Sequence, residues 1–283
     1  MKLSSNKPVA FPAIVTTRWQ RRICIMAASA LLASASAWAA STGWSGGGGS
    51  DISWATPANW TNGAPTATTD TYFTSDVPTG GAWSANNQVP ANTTVQSLSY
   101  INTNGGHSTL IDAGVTLTIS TATNAYALTG GGVIAQAGAA PRFGNAYIYG
   151  AGSLVMVASN SIMSSKFSQS TSSGSGSRYT LDLSGLDTLT GYLGRLYVAG
   201  DGGYRANGTM FLARTNLILL GYTSGPPLLL GNCSTGADGG KLYLGVTNGS
   251  DRELTASALT LGPNRSTDVR LCLRDVNFTP LPA

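Results

Sequence analysis

The chain has 283 residues, of which 36 are glycine, one is histidine and 10% are charged. Glycine at about 13% is nearly double the usual ~7%, and charge is less than half the ~25% of ordinary soluble domains. These proportions exclude a coiled coil or a charged disordered tail, and they speak against a helical domain.

The first element is an export signal. Lys2, Lys7, Arg18, Arg21 and Arg22 precede an apolar run from Ile23 to Ala37, and Ala37-Trp38-Ala39 follows in an A-x-A arrangement. A basic start, a short apolar run and small residues at the cut define a secretory signal peptide over residues 1–39, with cleavage after Ala39. The run is shorter than the ~20 residues of a spanning helix. Arg21-Arg22 lacks a twin-arginine continuation, so the general secretory route is expected. Cleavage changes the charge. The 16 basic residues lose 5, leaving 11 against 12 acidic ones, so the apparent +4 becomes −1. No basic patch remains for nucleic acid. Cys24 departs with the signal and lies in no lipobox. Cys233 and Cys272 remain, either as a disulfide formed in an oxidising compartment or as two buried thiols. No later segment is apolar enough to span a bilayer, so no membrane span is expected after cleavage.

Residues 40–94 read as an aromatic, Gly-rich N-terminal region. Trp44, Trp54, Trp60 and Trp83 gather there with Tyr72 and Phe73. Two readings are open: a sugar-stacking platform, or a cap in which large aromatics seal the end of a stack. The interleaved turn residues Asn59, Gly63 and Pro65 favour the cap. The Gly47 cluster lacks the Lys-Ser/Thr ending of a phosphate loop.

From residue 95 to 283 short alternating strands recur. Candidates are 95–100, 115–119, 146–149, 154–157, 179–183, 196–198 and 254–261. Turns are predicted at Asn102–Gly106, Gly130–Gly132, Asp201–Gly203 and Asp238–Gly240. Residues 166–178 form a Ser/Gly-rich loop. Three segments repeat: Thr209-Met-Phe-Leu212 before Asn216, Lys241-Leu-Tyr-Leu244 before Asn248, and Arg270-Leu-Cys-Leu273 before Asn277. Their asparagines are 32 and then 29 residues apart, as in successive layers of one stack. Leu212, Leu244 and Leu273 should then all point inward. The fold class expected is all-β: a parallel β-helix or β-solenoid of stacked short strands with an aromatic N-terminal cap.

Trp44, Asp51, Trp54, Asn59-Trp60, Gly63, Pro65, Asp70 and Phe73, followed by Val95-x-x-Leu98, Leu110, Gly114 and 116–119, resemble exported bacterial proteins of the autotransporter-associated β-strand repeat type. The resemblance spans about residues 44 to 277. It implies a β-helical, passenger-like surface protein and carries no catalytic residues. The sequence departs from that type at its end, since Thr279-Pro-Leu-Pro-Ala283 follows the last repeat with no membrane β-barrel; the expectation is either a short or truncated member, or one exported without a translocator of its own.

Catalytic candidates are thin. A polysaccharide lyase gathers carboxylates around Ca²⁺ and uses Lys or Arg as base. Asp182 and Asp187 are five apart, on opposite faces of a continuous strand. Asp201 and Asp238 each precede Gly-Gly, and nothing fixes Arg178, Arg195 and Arg205 beside them. His107 reads as a solvated turn histidine. No catalytic, metal or cofactor residues are therefore assigned, and no cofactor is expected. The function expected is a secreted or cell-surface solenoid with a structural, adhesive or binding role. The alternative is a carbohydrate-active β-helix enzyme or a sugar-binding remnant of one. Cell-surface polysaccharide or other envelope proteins are the expected partners. The location expected is outside, or on the surface of, a Gram-negative-type cell, the periplasm included.

Overall fold

A computed structural model describes residues 40–74, 84–122, 124–134, 142–169, 177–199, 204–221, 227–231, 240–243, 252–256, 259–261 and 270–272, with residues 132–134, 168–169 and 204–206 and the last three segments described by backbone alone. The signal segment 1–39 lies outside the described residues. Strands dominate what is described, and the sole helical element among the described residues is the 3-10 turn Pro57–Asn59.

The chain winds through three columns of parallel strands, visiting each column once per coil. The first face runs Asn87–Val89, Asn104–Ile111, 143–149, Arg178–Asp182, 208–211, Gly240–Tyr243 and Arg270–Cys272. The second runs Thr93–Val95, Thr116–Ser120, 153–157, 188–193, Thr215–Leu220 and Arg252–Ala256. The third runs Ala40–Gly43, Thr69–Phe73, Ser97–Tyr100, 126–130, 162–165, 195–198, Leu228–Leu230 and Leu259–Leu261. This is a parallel β-solenoid. Backbone groups bond to the coils above and below, so a weakly charged sequence satisfies them without helices.

Period-two alternation sends every other side chain inward. On the third face Leu98, Leu128, Met163, Leu196 and Leu228 stack in register, all buried. On the second, Val95, Ile119, Met156, Gly191 and Ile218 do the same. Each fully buried aliphatic side chain contributes roughly 1.5–3 kcal/mol, so these columns are the core.

The repeated segments stand where the sequence aligns them. Thr209 pairs with Lys241, and Lys241 with Arg270. Leu212 is buried; Leu244 and Leu273 lie outside the described residues. The stack begins before residue 95, because the strands at 40–43, 69–73, 87–89 and 93–95 already belong to its faces. The strand Phe143–Gln169 carries through the start of the Ser/Gly-rich stretch, and residues 170–176 lie outside the described set.

Two predicted turns are strands instead. Asn104–Gly106 opens the strand Asn104–Ile111, and Gly130–Gly132 sits inside Tyr126–Ile134. The glycines there make room rather than reversing the chain. A Cβ on Gly130 would lie 2.6 Å from the Tyr179 ring, and one on Gly144 2.5 Å from it. The missing side chains let that buried ring fit, with its hydroxyl donating to Asn102 Oδ1 at 2.6 Å. Asp182 and Asp187 do not share one strand either. The strand Arg178–Asp182 ends at a corner, and Leu186–Val198 begins beyond it. One pairing breaks the parallel rule: Tyr204 and Asn207 lie antiparallel to Gln169 and Phe167.

Candidate functional site

The aromatic residues near the N-terminus form a closed cluster. Trp44 and Trp60 meet edge to face at 5.0 Å, Trp54 and Trp60 at 5.3 Å, and Phe73 stacks on Tyr100 at 4.8 Å. Trp44, Trp54 and Trp60 are 4%, 1% and 4% exposed, which leaves no ring face for a sugar. Their polar handles are satisfied internally. Trp54 Nε1 donates to Asn87 Oδ1 at 2.9 Å, and Trp60 Nε1 to the Trp54 carbonyl at 2.9 Å. Trp83 lies outside the described residues.

His107 is part of this cluster, which corrects its reading as a solvated turn histidine. It is buried in the strand Asn104–Ile111, with its ring 5.1 Å from Phe73. Nε2 sits 2.7 Å from the Thr74 carbonyl, an acceptor, so Nε2 carries the proton. Nδ1 then accepts from Asn86 Nδ2 at 3.4 Å. Burial holds its pKa below the ordinary value, against the opposing pull of the Thr74 hydrogen bond.

Next to the cluster, on the outer side of the third face, the structure opens a groove of about 430 Å³. Ser97 and Ser99 lie along its floor. Asp70 and Tyr72 come from the coil before, Asn124 and Tyr126 from the coil after, and Ile101 stands at the rim. The stack sets this arrangement, since Asp70 pairs with Ser97 and Tyr72 with Ser99. Asp70 Oδ1 accepts from Ser97 Oγ at 2.5 Å and from Asn124 Nδ2 at 2.5 Å. Both bonds are charge-assisted and hold the carboxylate in one orientation. Among the described residues Oδ2 has no donor, and Asp70 is one of the residues that line the groove. Beyond the groove this face closes: Ser164 and Tyr197, further along the Tyr72–Ser99 row, are buried.

Lys166 approaches the same region, its Nζ 5.7 Å from the Tyr126 ring centroid. It is 5% exposed, and burial brings its pKa down to about 8. Burial also raises the Tyr126 hydroxyl, with a smaller push from Tyr197.

The charged residues weighed for catalysis are held apart. Asp182 Oδ1 accepts from the Ser184 backbone N–H at 2.9 Å and from its hydroxyl at 2.7 Å. Asp187 pairs with Arg214 at 2.7 Å in solvent. Arg178 covers the Phe143 ring at 5.4 Å, and Arg195 donates to the Tyr197 hydroxyl at 2.9 Å. Arg205, Asp201 and Asp238 have no described side chain. Cys233 lies outside the described residues, and Cys272 is placed by backbone only, opposite Tyr243. Among the described residues no three His, Cys, Asp or Glu side chains come together to hold a metal.

The sequence reading noted Asp70 but missed the groove. Its signal was there in the spacing, because Asp70, Ser97 and Asn124 stand 27 residues apart in succession. No family model, curated protein or solved structure matches this chain, so the resemblance to autotransporter-associated repeat proteins rests on the residues quoted for it.

Proposed function

We propose that the chain is an exported, cell-surface or secreted β-solenoid that acts by presenting a regular face to a partner rather than by catalysis. The carrying observation is the outer side of the second face. Three rows lie in register there: Thr116, Ser153, Thr188 and Thr215; Thr118, Val155, Thr190 and Leu217; Ser120, Val157, Tyr192 and Leu219. None of these twelve residues is charged. Val157 and Tyr192 are 49% and 44% exposed, and Leu217 and Leu219 lie open beside them. Neighbouring strands are about 4.8 Å apart and alternate residues about 6.7 Å apart, so the face is a regular lattice of hydroxyl and methyl groups. Exposed apolar side chains grouped on one face suit an interaction site. Envelope proteins or surface polysaccharide are the partners it suits, and the export signal delivers it to them.

The enzymatic alternative has less support. A lyase-like centre needs converging carboxylates and a nearby base, while Asp182 and Asp187 have separate structural partners. The test is sedimentation of the exported full-length chain with washed bacterial envelopes. Wild type should co-sediment, and Tyr192→Lys with Leu219→Lys should lower the bound fraction about tenfold. Equal binding by the variant defeats the reading.

A further inference from the structure

Among the described strands, Ala40–Gly43 pairs only with Thr69–Phe73, on one side. Its other side would be an open edge, a row of main-chain donors and acceptors on which another strand can add. We propose that residues 59–63 are a strap that occupies this edge and so bars a second copy of the chain from pairing with it.

Alternation is the first argument. Successive residues of a strand turn their main-chain groups to opposite sides. Trp44 N–H donates to the Tyr72 carbonyl at 2.9 Å, so the groups of Thr42 and Trp44 face the neighbouring strand and those of Ser41 and Gly43 face the edge. The strap meets these edge groups in turn. Thr61 N–H donates to the Gly43 carbonyl at 2.9 Å, Gly43 N–H to Thr61 Oγ1 at 2.9 Å, and Asn62 Nδ2 to the Ser41 carbonyl at 2.7 Å. Ser45 N–H donates to the Asn59 carbonyl at 2.8 Å, and Trp44 and Trp60 lie antiparallel. The strap therefore runs where an antiparallel strand from a partner would run.

Fastening is the second. Thr61 and Asn62 are exposed, so hydrogen bonds rather than burial hold them down. The buried Thr42 hydroxyl bolts the far end: it donates to the Gly63 carbonyl at 3.0 Å and accepts from Asn62 N–H at 3.2 Å. Closing one edge does not open another. Pro57 and Pro65 flank the strap and have no N–H to offer, and Trp60 N–H turns back to the Pro57 carbonyl at 3.1 Å.

The excluded occupant is a second copy because the edge complements itself. Two such strands related by a two-fold axis at Thr42 are antiparallel, and Ser41 of each faces Gly43 of the other. All the edge groups of both copies would then be paired. The inference stands on this edge alone and does not rest on the second-face reading.

The experiment is sedimentation equilibrium of the exported full-length chain over a range of concentrations. Thr61→Pro with Asn62→Ala removes the N–H, the hydroxyl and the amide that hold Ser41 and Gly43. Trp60, at φ −129° and ψ 145°, already has the extended conformation that a following proline requires. The double variant should self-associate about tenfold more tightly than wild type. In dilute solution its Gly43 amide should exchange about a hundredfold faster. Adding Ser41→Pro removes an edge N–H without touching the ladder to Thr69–Phe73, and should restore the wild-type level. Near-UV circular dichroism of the tryptophan cluster checks the fold. If the double variant does not fold, Asn62→Asp decides: it sets a carboxylate against the Ser41 carbonyl and should strengthen association about threefold. No rise in association in a folded variant, a rise that Ser41→Pro leaves in place, or a Gly43 amide as protected as in wild type overturns the proposal.

Discussion

The coils near residue 50 and those near residue 190 bury their interiors by different means. In the first, Trp44, Trp54, Trp60, Phe73, Tyr100 and His107 interlock, and several carry a hydrogen bond to a distant backbone or side-chain group. In the second, Leu154, Met156, Leu181, Leu189 and Leu196 stack on like residues and need no polar partner. A middle coil has a copy of itself on both sides, so repeating a small aliphatic set fills it. The strand Ala40–Gly43 pairs, among the described strands, with Thr69–Phe73 alone. There the interior is closed by bulk and by specific bonds instead of repetition. What propagates a solenoid is thus not what finishes it.

The largest test of this contrast is truncation within each region. Trp54→Ala should cost about 3–5 kcal/mol and Leu154→Ala about 2–5 kcal/mol in urea unfolding. The distinguishing result is spatial. Hydrogen exchange should speed up over residues 40–111 in the first variant and on both sides of residue 154 in the second. Identical exchange maps would erase the distinction between the two regions.

Backbone conformation gives the next effect. Gly150 has φ 117°, and a Cβ there would run into the Ile111 carbonyl oxygen. Gly150→Ala should therefore cost about 2–3 kcal/mol. Gly49 lies in the N-terminal turn at φ 70° with open space around it, so Gly49→Ala should cost only about 1 kcal/mol. A thermal melt of each variant compares an inner corner with an edge turn.

pH dependence separates the regions by window. Burial lowers the pKa of His107 in the fold, so the unfolded chain takes up that proton first as pH falls. His107 therefore contributes stability that is present above its ordinary pKa, near 6.5, and is lost on acidification below it. Lys166 drops from 10.5 to about 8 for the same reason. Between those values the unfolded chain binds the extra proton, so stability rises from about pH 8 to 10.5. His107→Leu should flatten the acid limb of a Tm-against-pH curve, and Lys166→Met the alkaline one.

Much of the fold was legible because its signal is local. The alternation in 115–119 and the pairs Met210-Phe211, Leu242-Tyr243 and Leu271-Cys272 depend on near neighbours, and the alignment of those pairs reappears as strand register. The glycines at 130 and 131 misled because they look like turn residues. Their purpose is set from far along the chain, by the Tyr179 ring against Gly130 and the Lys166 carbonyl against Gly131. His107 misled in the same way, since its burial comes from Phe73 and Thr74, residues of an earlier coil. The groove is the extreme case. Each of its residues is ordinary alone, and only the stacking of three coils assembles Asp70, Ser97 and Asn124.

On the first face, 22 residues separate Gln88 from its partner Leu110, 39 separate Leu110 from Tyr149, and 29 separate Asp182 from Phe211. The ladders stay parallel through all of these lengths. A whole coil can therefore be 17 residues longer than its neighbour while its ladders stay parallel, because lengthening a loop costs only about 0.6 kcal/mol per doubling. Chains of this build can diverge, or be grafted with foreign peptide, one corner at a time, while the spacing of the outward lattice stays fixed like the gauge of a railway.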